Sequence, residues 1–147
     1  MNGLGLWLTT DGGAHWRTIT PQVPGGDVVA RIASVQFVDA THGWASGLDL
    51  IGNGNRFAMI ERTVDGGRTW RTTSHNCAAC GGSLSFVDAR HGFSLTGSTL
   101  FASGDGGKRW HRVGAAPLRA TIDFGDVAHG WALTAAGQLS RTTDGGR

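Results

Sequence analysis

Thr63-Val64-Asp65-Gly66-Gly67-Arg68-Thr69-Trp70 reads as a complete hairpin turn. Its aspartate can accept hydrogen bonds from backbone N–H groups of the turn it sits in. The paired glycines supply the positive φ that such a turn needs. The tryptophan opens the departing strand, and its ring is large enough to wedge between neighbouring sheets. The same pattern stands at Thr9-Thr10-Asp11-Gly12-Gly13-Ala14-His15-Trp16 and at Ser103-Gly104-Asp105-Gly106-Gly107-Lys108-Arg109-Trp110. A fourth copy, Thr142-Thr143-Asp144-Gly145-Gly146-Arg147, carries no tryptophan. Five residues before each aspartate lies an aliphatic residue (Leu6, Ile60, Leu100 and Leu139), which marks the buried face of the incoming strand.

Between these turns a second motif recurs three times. It reads Phe37-Val38-Asp39-Ala40-Thr41-His42-Gly43-Trp44, then Phe86-Val87-Asp88-Ala89-Arg90-His91-Gly92-Phe93, then Phe124-Gly125-Asp126-Val127-Ala128-His129-Gly130-Trp131. The aspartates of the first motif are 54, 40 and 39 residues apart. A unit near 40 residues is the length of a four-stranded propeller blade. Strand one carries Phe-Val-Asp, strand two begins at His-Gly, strand three runs into the aspartate turn, and strand four leaves at its tryptophan. The expected fold is all-β, a partial β-propeller of four-stranded antiparallel blades, about three blades long and without ring closure. Residues 1–147 form one such unit: a partial blade at 3–20, blades at 31–74 and 83–114, and a partial blade at 119–147. Because the chain stops inside a turn motif, it reads as a fragment of a longer propeller or as one that self-associates through its open edges.

Composition agrees. The chain is 39% hydrophobic and 16% charged, which suits a globular domain. It has 25 glycines against 3 prolines, as many short strands and tight turns require. A net charge of +2 is too small to argue for a nucleic-acid partner. No apolar run is long enough for a membrane span. The first residues have neither the basic nor the apolar region of a signal peptide.

Taken together, the two motifs resemble the Asp-box (BNR-repeat) propellers, and within them the photosystem II assembly and stability factor-like group. The resemblance covers nearly the whole chain. Asp-boxes also occur in sialidases, xyloglucanase-type glycosidases and sortilin-type receptors, so the motif speaks for architecture more than for activity. It implies that Asp11, Asp65, Asp105 and Asp144, with Trp16, Trp70 and Trp110, are structural residues on the rim. It also implies a parent protein that works outside the cytoplasm, periplasmic or secreted.

Catalytic constellations are scarce. The chain has no tyrosine to serve as a sialidase nucleophile. A carboxylate pair would have to come from Asp27, Asp49, Asp123 and Glu61, because the other seven aspartates belong to the two turn motifs. Asp27 and Asp49 fall in loops on one face, where two solvated carboxylates are the plainer reading. His42, His91 and His129 are the same position in three blades, so the repeat holds them apart and no metal site is expected. Cys77 and Cys80 read as a local loop disulfide, with free thiols the alternative. No cofactor is expected.

Two insertions stand out. The segment from Pro21 to Ala30 and the segment around Leu50–Asn55 make one unit longer than the others, and both project from the face opposite the aspartate turns. A rigid scaffold lengthened twice in one place is where binding usually resides. Asp27, Arg31, Asp49, Asn53, Asn55, Arg56 and Arg119 are the candidate binding residues. The expected function is non-enzymatic docking of a protein partner. The alternative is a glycan-binding or glycoside hydrolase propeller, sialidase- or xyloglucanase-type, with exposed aromatic rings stacking on sugars.

Overall fold

A computed structural model describes residues 6–19, 28–50 and 56–147. The described residues contain thirteen strands and no helix, and every strand pairing is antiparallel. The strands form four sheets, each a meander in chain order. The first is a hairpin of β1 (Leu6–Leu8) and β2 (Arg17–Ile19). The second holds β3 (Val28–Phe37), β4 (Gly43–Leu50), β5 (Arg56–Thr63) and β6 (Arg71–His75). The third holds β7 (Ser83–Phe86), β8 (Gly92–Thr96), β9 (Thr99–Ser103) and β10 (His111–Ala115). The fourth holds β11 (Thr121–Phe124), β12 (Gly130–Leu133) and β13 (Leu139–Thr142).

The second, third and fourth sheets stack, and the core lies between them. Trp44, Ile60, Cys80, Leu84 and Phe86 fill the space between the second and third sheets. Phe93, Leu95, Leu100, Ile122 and Phe124 fill that between the third and fourth. One aromatic pair sits at the centre of each joint. Trp44 stacks on Phe86 with centroids 3.8 Å apart, and Phe93 stacks on Phe124 at 3.7 Å. Trp70 and Trp110 pack edge-on against Phe37 and Phe86 of their own sheets, and Trp110 also packs on the core cluster between the second and third sheets. Each donates its indole N–H back to a turn carbonyl, Gly67 or Gly107, which holds the ring over its own hairpin. Each also stands one residue before its strand rather than opening it.

Polar side chains stitch the inner strands together. Gln36 donates to the Phe86 carbonyl and accepts from the Phe86 N–H, at 3.1 and 2.6 Å. Ser83 and Ser85 accept from the N–H groups of Ile122 and Phe124. Trp44 donates to the Gly106 carbonyl at 2.9 Å, so its ring is both stacked and bonded. Among the described residues, β1 and β2 contact only each other.

The second sheet departs from expectation. Its first three strands are ten, eight and eight residues long, against four or five in the third sheet. Residues 28–30, 49, 50 and 56, expected in loops, instead prolong the ladder: Val28 pairs with Leu50, and Leu50 with Arg56. Val28 and Val29 are β-branched and favour the extended backbone that pairing needs. The described ends of the two insertions therefore lengthen a three-stranded ribbon.

Candidate functional site

The two turn motifs lie on one face and are joined there. The N–H groups of Gly66, Gly106 and Gly145 donate to the carbonyls of Thr41, Arg90 and Ala128, at 3.0, 2.8 and 2.8 Å. Each aspartate turn is organised by a hydroxyl and a carboxylate. Thr63 Oγ1 donates to Asp65 and accepts from the Gly67 N–H, while Asp65 accepts from the N–H and Oγ1 of Thr69. Thr9–Asp11, Ser103–Asp105 and Thr142–Asp144 repeat the hydroxyl–carboxylate bond. Gly66 and Gly67 have φ of 72° and 84°, which a side chain would strain.

These bonds make the carboxylates unusually acidic. The Thr69 hydroxyl and N–H hold Asp65 down to about 2. The backbone and ring N–H groups of His15 do the same for Asp11, and the Ala128 and His129 N–H groups for Asp126. Partial desolvation opposes the shift at Asp88, but the His91 ring and N–H prevail and hold it at about 2. Thr41 and His42 hold Asp39 well below the usual carboxylate range. Asp105 and Asp144 are shifted the same way, Asp105 against desolvation and Asp144 chiefly by the Thr142 hydroxyl. His42, His91 and His129 each pair through Nδ1 with the aspartate three residues earlier, so every ring is committed to its own turn. Among the described residues no group of three His, Cys, Asp or Glu side chains could hold a metal ion. A carboxylate that stays ionised near neutral pH and already accepts two or more bonds is poorly suited to proton transfer.

The opposite face carries the remaining connections. Arg119, with φ of 56°, donates its N–H to the Gly97 carbonyl and lines a cleft of about 410 Å³ with Ser34, Gly82 and Thr121. This is the face toward which the second sheet is extended. Arg31 lies in β3 opposite Leu48, Asp49 in β4 opposite Val29 and Phe57, and Arg56 at the start of β5 opposite Leu50. The ladder thus brings Arg31, Asp49 and Arg56 onto one ribbon. Asp27, Asn53 and Asn55 lie outside the described residues. Of the other carboxylates, Asp123 is exposed on β11 and Glu61 is buried in β5. Cys77 and Cys80 form a disulfide, Cα atoms 5.1 Å apart, in the loop between the second and third sheets. The inter-sheet contacts of Gln36, Ser83 and Ser85 were not foreseen; for Gln36 and Ser85 the recurring Phe37 and Phe86 one residue later were the available signal.

Antiparallel meanders of three and four strands, stacked face to face through aromatic joints, define a β-propeller, here an open row of sheets. Among solved structures the chain is similar to one described as YCF48 bound to D1 peptide, with a TM-score of 0.63 and 24% sequence identity. The match covers 81% of this chain and 39% of that one, so the chain spans well under half of its length. No protein-family model and no curated protein matches the chain.

Proposed function

We propose that the chain is part of a non-enzymatic propeller scaffold of the Asp-box type, related in role to the photosystem II assembly and stability factors, that docks a protein partner. The observation carrying this reading is the ribbon of β3, β4 and β5, which lengthens one blade on the face away from the turns and bears Arg31 and Arg56. A ladder prolonged beyond a rigid core suits presentation of side chains to a partner. The structural neighbour YCF48 was solved with a D1 peptide, which makes that peptide the natural probe. Charge reversal of Arg31 and Arg56 should weaken D1-peptide binding without changing Tm. If reversal of His42 and His91 weakens it instead, the docking face is the opposite one.

The Cys77–Cys80 disulfide supports a location outside the cytoplasm, where such bonds persist. Self-association belongs to the same proposal. Trp131 is 46% exposed and Phe37 39% exposed, yet each occupies the repeat position that is buried in an aromatic stack elsewhere. Phe37 of a second copy can stack on Trp131 as Phe86 stacks on Trp44. The glycan alternative rests on exposed Trp7 and Trp16, and a glycan array with a chromogenic glycosidase panel separates it from peptide docking.

A further inference from the structure

Three cations meet at the rim between the second and third sheets. Arg62 of β5 stands opposite Arg71 of β6 in the ladder, and Lys108 reaches the same cleft from the next aspartate turn. The cleft is about 370 Å³ and is also lined by Thr69, Thr72 and Thr73. Like charges directly across a ladder destabilise a sheet, so this arrangement works against the fold. Neighbouring carboxylates do not relieve it. Asp65 is occupied by Thr63 and Thr69, and Asp105 by Ser103 and the N–H groups of Lys108 and Arg109. The ion pairs that His15, His42, His91 and His129 make with their aspartates include none of these three cations.

Arg62 is also held ready. Its guanidinium lies 5.4 Å from the Trp44 ring and donates to the Ala89 carbonyl at 3.4 Å. Its Nε is buried and has no hydrogen-bond partner. A positioned guanidinium beside a second arginine and a lysine suits a carboxylate or other oxyanion. No aromatic side chain lines the cleft for a base to stack on, which disfavours a single-stranded nucleic acid. No carboxylate or amide lines it to accept from sugar hydroxyls. β6 is the outermost strand of its sheet, so its edge can run alongside an extended chain.

We infer that this rim cleft binds the carboxylate side chains of an acidic, extended segment of a protein partner laid along β6. It is a separate site from the ribbon proposed above, so either can fail without the other. The test uses a fluorescein-labelled hexaglutamate peptide titrated by polarisation against the whole chain. Arg71→Glu and Lys108→Glu are chosen because both residues are exposed and neither packs in the core; Arg62 is avoided because it supports Trp44. Each reversal should raise Kd roughly tenfold or more, while Arg31→Glu and Arg56→Glu leave it unchanged. Unchanged binding in Arg71→Glu and Lys108→Glu overturns the site. So does an oligonucleotide that competes more strongly than the peptide, or full competition by inorganic phosphate at the peptide's own concentration.

Discussion

Thr63 shows how much of this fold hangs on single hydroxyls. It is 1% exposed, donates to Asp65 and receives the Gly67 N–H. Thr63→Val keeps the shape and leaves that N–H without an acceptor, which should cost about 1–3 kcal/mol. Thr63→Ser should retain most of the stability; urea denaturation of the three proteins measures the difference. The carboxylates of the same turns make the stability depend on acid. Asp11, Asp65, Asp88 and Asp126 are held to about 2 in the folded chain, below their ordinary value of 3.8. A depressed carboxylate stabilises the fold above the unfolded value and loses that contribution as pH falls through the folded one. Tm should therefore be flat near neutrality and fall between about pH 4 and about pH 2. These contacts join residues two to four apart, which is why the turns could be read directly from the sequence.

At the scale of elements, the aromatic joints between sheets dominate. Trp44 is fully buried, stacked on Phe86 and bonded to Gly106. Trp44→Ala should cost about 3–5 kcal/mol, more than the loss of the exposed Trp16, and thermal unfolding of both variants checks the ranking. Gly43 lies under the Phe37 ring of its own sheet: a Cβ there would meet that ring at 2.7 Å, so Gly43→Ala should destabilise as well. The four strands of each unit follow from the spacing of the motifs, but two features do not. Trp44 and Phe86 are 42 residues apart, so no local period reveals which aromatic meets which. Likewise, a count of inserted residues cannot say whether they loop out or lengthen a ladder. Val28 and Val29 were the available hint, and the pairing of Val28 with Leu50 decided it. Arg62, Arg71 and Lys108 are harder still, since only the register of β5 on β6 and the stacking of the next turn bring them together.

Over the whole molecule, the row of sheets presents three surfaces with different chemistry: a face of committed aspartates and histidines, a cationic rim, and a face with a prolonged ribbon. If the exposed Trp131 and Phe37 meet between copies, light scattering of the 147-residue chain will show assemblies larger than a monomer, and Trp131→Ser will reduce them. A monomer unaffected by that change contradicts the stacking between copies. The central claim concerns the ribbon, and hydrogen–deuterium exchange with and without bound D1 peptide addresses it most directly. Docking there predicts slowed amide exchange in β3, β4 and β5 near Val29, Leu48 and Phe57, with the aspartate turns unchanged. Protection confined to the turns around Asp65 and Asp105, with the ribbon unaffected, would contradict it.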